Sequence, residues 1–534
     1  MIDLIVEGGR IVSGTGNPWY KGDIGVEKDR IIEIGELQDE RADTVIDAKR
    51  NVVCPGFIDT HSHSDLMWLA NPRCEAKVTQ GITTEVLAQD GLSGAPVRRE
   101  HIALVRRLVS GLLGDPDIEW DWTSLGEYLA RFEKQGIAVN IASLVPHGNV
   151  RIWAMGMEKR APSPSELSDM KQLVATSMKE GAMGLSTGLI YAPCTYADKQ
   201  ELVELCKVVS ELDGYLAVHM RNEGDMVLES MKEVVEVGEQ SGASIHIDHF
   251  KVSGRSNWGK AGKMLEFAEQ ARSRGLELTL EQYPYTAGST MLWALLPPWS
   301  LEGGFEKTIE RLKDPDIRAR MKQEIRDGIP GWEDFVQESG WEGIFVSSLP
   351  SEKNKRFVGK NLREIAEALT KHPTDALFDL LIEEKGAVSM VLFIMSEEDV
   401  RTIMKHPLQM FCTDGLLPPG KPHPRVYGTY PRVLGKYVRE ERIIALEEAI
   451  RKMTSYPAER LRLRDRGIIK VGAWADLVIF NPDRIADRAT YEDPSQYPEG
   501  IECVIVNGQV AVKKGEHTGI RAGKVLKRVQ AVAN

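Results

Sequence analysis

Two histidines separated by a single serine, His61 and His63, follow the run Gly56-Phe57-Ile58-Asp59-Thr60. If that run is a strand that persists through them, both imidazoles leave on one face. Neutral imidazoles placed this way suit zinc and related divalent metals. Taken alone, such a pair is more often a satisfied polar strand end than a ligand pair. Three later residues occupy the same kind of position: His219 closes Leu216-Ala217-Val218, His249 closes Ile245-His246-Ile247-Asp248, and Asp414 closes Met410-Phe411-Cys412-Thr413. An isolated Asp-Gly is a turn, but beside these histidines Asp414 reads as the acid/base of a catalytic metal site with an open coordination position. In such a site the metal lowers the pKa of water and polarises a carbonyl. Asp414 would take the water's proton and return it to a leaving amine. No P-loop is present to suggest phosphate chemistry.

A scaffold must hold those strand ends together. Apolar strands are expected over residues 53–59, 84–87, 139–144, 182–185, 215–219, 244–249, 277–282 and 410–413, with amphipathic helices over 166–179, 199–212, 225–241 and 260–275. Repeated βα units imply a parallel sheet, and around eight of them an α/β fold of the TIM-like (β/α)8 type, whose active sites lie at the carboxyl ends of the strands. Both chain ends read as short strands with glycine punctuation: 4–6, 10–12, 23–26, 30–34 and 44–47, then 477–480, 503–506 and 509–512 around Asn507-Gly508. Neither end is long enough to fold alone. The expectation is one small β-sandwich from 1–54 together with 465–534, and a catalytic barrel over 55–464. Residues 292–348 break the rhythm with Pro297, Pro298, Trp299, Trp332 and Trp341, and read as a lid-like insertion.

The 534 residues are 42% hydrophobic and 27% charged, in the range of ordinary globular proteins. A formal charge of -12 and pI near 5.6 argue against nucleic acid or an anionic membrane as a partner; the basic stretch 521–528 is too short to reverse this. No run of about 18 apolar residues implies a membrane span. The six cysteines, Cys54, Cys74, Cys194, Cys206, Cys412 and Cys503, are scattered without CxxC or disulfide-framework spacing. Free thiols in a reducing compartment, the cytoplasm, are expected. Homo-oligomer formation is left open.

Longer segments carry a resemblance: PGFIDTHSHSD from Pro55, GITTEV from Gly81, HGNVR from His147, GAMGLSTGLIYAP from Gly181, HMRNEG from His219, DHFKVSG from Asp248, YPYTAGSTML from Tyr283, TDG from Thr413 and PHPRVYGTYPRVLGKYVRE from Pro422. KVGAWADLVIFNPDRIADRATYEDP, from Lys470, completes them. With these the chain resembles the amidohydrolase superfamily, and within it the D-aminoacylase (N-acyl-D-amino-acid deacylase) family, over nearly its whole length. The resemblance implies the barrel, the terminal β-sandwich and an insertion after YPYTAGST. It implies His61, His63, His219 and His249 as ligands of a divalent metal, zinc foremost, present as one or two ions, and Asp414 as acid/base. It further implies that Lys251, Tyr283 and Arg425 hold the substrate carboxylate, where two cations and a phenol supply charge-assisted, directional bonds; Tyr191 and Ser289 join them as substrate-binding candidates. One departure stands out. Relatives commonly carry a metal-binding cysteine in a GNCG-like segment, where this chain reads Ala88-Gln89-Asp90-Gly91. Asp90 is then a ligand candidate harder than thiolate, or else a turn cap.

The expected activity is amide hydrolysis of N-acyl-D-amino acids, small molecules bearing a carboxylate and an amide. A cyclic-amide or imide hydrolase on the same scaffold is the alternative, and a noncatalytic scaffold relative a remote one, since that would have lost a histidine or the late aspartate. Met67, Trp68, Leu189, Tyr191, Met291 and Trp293 lie near the motifs and are expected to favour an apolar substrate side chain.

Overall fold

The computed structural model describes residues 2–528; residues 529–534 of the expected terminal segment lie outside the described residues. The architecture is mixed α/β. At Gly56 the chain passes from one sheet to another. The run expected as a single strand over 53–59 is two strands: Val52–Pro55 pairs with Ile2–Ile11 and Leu477–Phe480, whereas Phe57–Asp59 pairs in parallel with Ile82–Leu87. A Cβ on Gly56 would stand 2.1 Å from the Thr83 hydroxyl, so only glycine lets the two strands approach this closely at the junction.

Both chain ends meet in one nine-stranded sheet. Its N-terminal and C-terminal parts join where Leu477–Phe480 runs antiparallel to Val52–Pro55, and Leu4, Val6, Ile24, Val53, Leu477 and Ile505 share one small core. Asn507 and Gly508 turn the hairpin between Ile501–Val506 and Gln509–Lys513 with φ of 46° and 80°, the pair of left-handed conformations a two-residue turn requires. The basic stretch 521–528 packs on the molecule: Gly523 and Val525 bridge to Ile137 and Ile141, and Lys524 and Arg528 pair with Asp29 and Asp213.

The middle of the chain forms parallel sheets. In the largest, strands Gly184–Gly188, Tyr215–His219, Ser244–Ile247 and Leu278–Gln282 pair in sequence order, and Leu278–Gln282 pairs with Gln409–Phe411. Helices Pro164–Glu180, Lys199–Glu211, Val227–Ser241 and Ala261–Ser273 alternate with these strands. The first shows why its sequence is helical: Ser163 and Glu166 form a reciprocal capping box, Pro164 takes the first position and Gly181 ends it. Such a cap is worth about 1 kcal/mol, and the face Met170, Val174 and Met178 turns inward.

Between Leu278–Gln282 and Gln409–Phe411 the chain makes a long excursion. Three antiparallel strands, Ala287–Met291, Ser389–Phe393 and Ile344–Ser348, form its sheet, with Ser389–Phe393 in the centre. The expected insertion, 292–348, falls inside this excursion, and the sheet reaches beyond it on both sides. The small polar run Ala287-Gly288-Ser289-Thr290 lacks the apolar alternation that marks a strand in sequence.

Candidate metal and substrate site

The candidate residues converge because the backbone bends where each strand ends. His219 is the last residue of its strand, while His249 and Asp414 lie two and three residues beyond theirs, with φ of 32° and 48°. Asp90 follows Ile82–Leu87 with φ of 56°, after Ala88 at 63°. Left-handed backbone at a non-glycine residue costs on the order of 1–3 kcal/mol and persists only where neighbours over-determine it. Here Asp65 does so by accepting from the Ala88 N–H at 3.1 Å and the Ser93 hydroxyl at 2.5 Å, while the Gly91 carbonyl accepts from the Gly148 N–H at 2.8 Å.

His61 and His63 bring their Nε2 atoms to 3.2 Å from each other. Asp90 faces all four histidines: Oδ1 is 3.8 Å from His61 Nε2, 3.7 Å from His219 Nδ1 and 3.6 Å from His249 Nε2, and Oδ2 is 3.5 Å from His63 Nε2. Asp414 Oδ1 lies 3.2 Å from His63 Nε2 and 3.6 Å from His61 Nε2. Two donors on one tetrahedral ion, each about 2.1 Å from it, stand roughly 3.4 Å apart, so these separations match shared coordination. In three overlapping triads the candidate ligand atoms all lie within 4.8 Å of one another: His61/His63/Asp90, Asp90/His219/His249 and His61/His249/Asp414.

Electrostatics give the same answer. Asp90 Oδ1 and both ring nitrogens of His219 are buried without a hydrogen-bond partner, a costly state unless a cation satisfies them. Burial pushes His63 down, yet Asp414 and Asp90 beside it raise its ring to about 9, so the cluster attracts positive charge. Burial likewise opposes ionisation of Asp414, but the Arg425 guanidinium and His61 hold its carboxyl far below the usual range. The residues present therefore fit one or two divalent ions, with Asp90 common to two of the triads.

Behind the donors stand carboxylates that sequence reading missed. Glu281 accepts from His61 Nδ1 at 2.7 Å, bonds His246 Nε2 at 3.1 Å and also receives the Thr60 hydroxyl. With its proton held toward Glu281, His61 turns a free Nε2 lone pair into the cluster, an arrangement that orients metal-binding imidazoles. Glu223 faces two rings at once, 3.3 Å from His249 Nδ1 and 3.6 Å from His219 Nε2. The fully buried Lys77 donates to Asp59, Ser62, Glu85 and Thr413 at 2.6–2.9 Å, tying the strands that carry His61 and Asp414. The available signal was Thr279 and Glu281, polar residues alternating with Leu278 and Leu280 on the strand Leu278–Gln282.

The substrate candidates divide into two groups. Lys251, Tyr283, Tyr191 and Ser289 line a cavity of about 30 Å³ that Asp90, His219, His249 and Asp414 also border. Lys251 donates to Glu223 at 2.5 Å, and the Tyr283 hydroxyl is buried without a partner. Tyr191 bonds Thr290 at 2.8 Å, and the Ser289 hydroxyl is spent on the Met390 carbonyl at 2.8 Å. Arg425 is fully buried behind this wall, 2.9 Å from Asp414 Oδ2, 3.1 Å from the Ser289 carbonyl and 4.4 Å above the Tyr283 ring. Of the apolar residues expected at the pocket, only Tyr191 reaches it. Phe335, Leu392 and Ile394 of the excursion line it instead, while Trp68 turns away to bond Glu85 at 2.5 Å.

Residues 44–512 match the model described as the amidohydrolase family. The chain belongs to that family. Over its full length it is 35% identical to an N-acyl-D-glutamate deacylase of Alcaligenes xylosoxydans xylosoxydans, covering 98% of that relative. It is 33% identical to a D-aminoacylase of the same organism, over 99% of this chain and 98% of the relative. Among solved structures, the N-acyl-D-glutamate deacylase from Bordetella bronchiseptica, complexed with zinc and a phosphonate mimic of the tetrahedral intermediate, superposes with a TM-score of 0.83. The identity is 33%, with 99% of this chain and all of that one covered. Among the described residues no helix is long and apolar enough to cross a membrane.

Proposed function

We propose that this amidohydrolase is a metal-dependent deacylase that cleaves the amide bond of N-acyl-D-amino acids to a carboxylate and a free D-amino acid. The observation that carries the reading is the junction of two features in one cavity: a donor cluster centred on Asp90, and an unpartnered Tyr283 hydroxyl beside Lys251. His61, His63, Asp90, His219 and His249 would hold one or two divalent ions, zinc foremost. Such an ion supplies the Lewis acidity that makes water a nucleophile at neutral pH and polarises the scissile carbonyl. Asp414 accepts the proton of the attacking water and delivers it to the departing amine. Arg425 grips Asp414 Oδ2 and leaves Oδ1 turned toward His63 and His61. The substrate carboxylate lies against Tyr283 and Lys251, with Arg425 adding its charge from behind Tyr283.

The scaffold is read in the same way. Phe57–Asp59 continues into Ser62–His63, Asn140–Ser143 into Val145–Pro146, and Gln409–Phe411 into Gly415–Leu416. Gly415–Leu416 pairs with Ser62–His63, and Val145–Pro146 with Gly184–Gly188, all in parallel. These continuities support joining the parallel sheets into one (β/α)8 barrel over 55–464, with the terminal sheet (1–54 and 465–534) as its β-sandwich. A cavity of about 30 Å³ is too small for an amino-acid derivative, which supports the excursion as a lid that opens to admit substrate and closes over it. Six free, buried cysteines support a cytoplasmic location.

The test is a panel of N-acyl-D- and N-acyl-L-amino acids plus cyclic imides, assayed with Zn, Mn or Co after chelation. Turnover confined to N-acyl-D-amino acids is expected; turnover confined to imides would overturn the reading.

A further inference from the structure

Resting on that reading, we infer that the face of the lid sheet formed by Leu392 and Ile394, with Phe335, is the subsite for the substrate side chain, and that it selects uncharged, apolar D-residues over D-glutamate and D-aspartate. The register places Leu392 directly across from Gly288. Above Gly288, Ile394 Cδ1, Leu392 Cδ2 and the Tyr283 hydroxyl all lie within 4 Å of one point, where a Cβ would stand at 3.7, 3.9 and 3.5 Å from them. An amino-acid carboxylate and its side chain leave the same carbon. If Tyr283 receives the carboxylate, the side chain is therefore directed onto the Leu392 and Ile394 methyls next to it. All three apolar residues are at most 4% exposed, so their surfaces are available only to what occupies the cavity.

An acidic side chain meets no free countercharge there. Among the described residues lining the cavity, the one lysine or arginine is Lys251, and in that reading it is already shared between Glu223 and the substrate's own α-carboxylate. Arg425, behind them, is bound to Asp414. Glu223 borders the cavity, and its backbone N–H is held by the carboxylate of Glu333 at 3.1 Å. A second substrate carboxylate would thus be desolvated on a hydrocarbon wall with further carboxylates close by, a heavy cost without a partner. The 35% identity to an N-acyl-D-glutamate deacylase does not supply that partner.

The test compares kcat/KM of the zinc-loaded enzyme for N-acetyl-D-leucine, -methionine and -phenylalanine with that for N-acetyl-D-glutamate and -aspartate. A preference of roughly 100-fold or more for the apolar set is expected from loss of a countercharge. Leu392→Ala should lower kcat/KM for the leucine derivative about 10-fold relative to the alanine derivative, and Leu392→Arg should move the preference toward the acidic substrates. Equal or faster turnover of N-acetyl-D-glutamate by the wild type would overturn the subsite and leave the deacylase reading standing. Failure to cleave any N-acyl-D-amino acid would overturn both.

Discussion

Removing the Asp90 carboxylate tests the metal cluster at its centre. Asp90 belongs to two of the candidate triads and approaches each of four imidazoles to 3.5–3.8 Å, so one substitution removes a carboxylate from both triads. Loss of a group that merely orients a ligand costs about 10–100-fold in metal affinity. Loss of a direct donor should cost at least the upper figure, about 2.7 kcal/mol. The backbone adds a separate effect, because φ at Asp90 is 56°. Alanine tolerates that region less well than aspartate or asparagine, at a cost of roughly 1 kcal/mol. Asp90→Asn keeps the shape and the backbone preference, and Asp90→Ala does not. Both variants should lose metal after dialysis against a calibrated chelator, measured by elemental analysis, while only the alanine variant should also lower the melting temperature of the metal-free protein. Full metal occupancy of Asp90→Ala after the same challenge would refute a ligand role.

Other expectations concern the residues behind the site. Glu281→Gln weakens the hold on His61 Nδ1 and should reduce metal affinity about 10–100-fold in a chelator competition; unchanged affinity would show that Glu281 is only structural. Lys77→Met leaves Asp59 and Glu85 buried without their cation. It should cost about 3–5 kcal/mol in denaturant unfolding, and Glu85→Gln in the same chain should recover part of the loss. Glu338 is raised from 4.5 to about 8 by burial and by the nearby Glu223 charge, against a bond from Ser253. The folded chain therefore keeps a proton that the unfolded chain releases, so stability from this group falls as pH rises from near 4.5 to about 8. Glu338→Gln should match the wild type near pH 4.5 and exceed it at pH 8 by on the order of a few kcal/mol; parallel stability curves for the two proteins would count against that environment.

Much of this architecture was legible locally. Strand and helix periodicities placed the parallel strands, and Asn507-Gly508 announced its hairpin, because these features depend on neighbours a few residues apart. His61, His63, His219, His249 and Asp414 stood out in sequence as polar residues closing apolar strands, and Asp90 by its place in a motif. Tertiary structure decided the rest. That Asp90 faces four imidazoles depends on left-handed turns at Ala88 and Asp90 and on Asp65 holding that loop. Arg425 was expected among the groups facing the substrate, but the fold seats it behind Tyr283 against Asp414. Glu281 meets His61 across 220 residues of sequence, and Leu392 meets Gly288 only through the register of a sheet inside the long excursion. Sequence spacing carries information about groups that share one strand or turn; the direction of a side chain across separate elements is set by pairing register and backbone dihedrals, which exist only once the chain has folded.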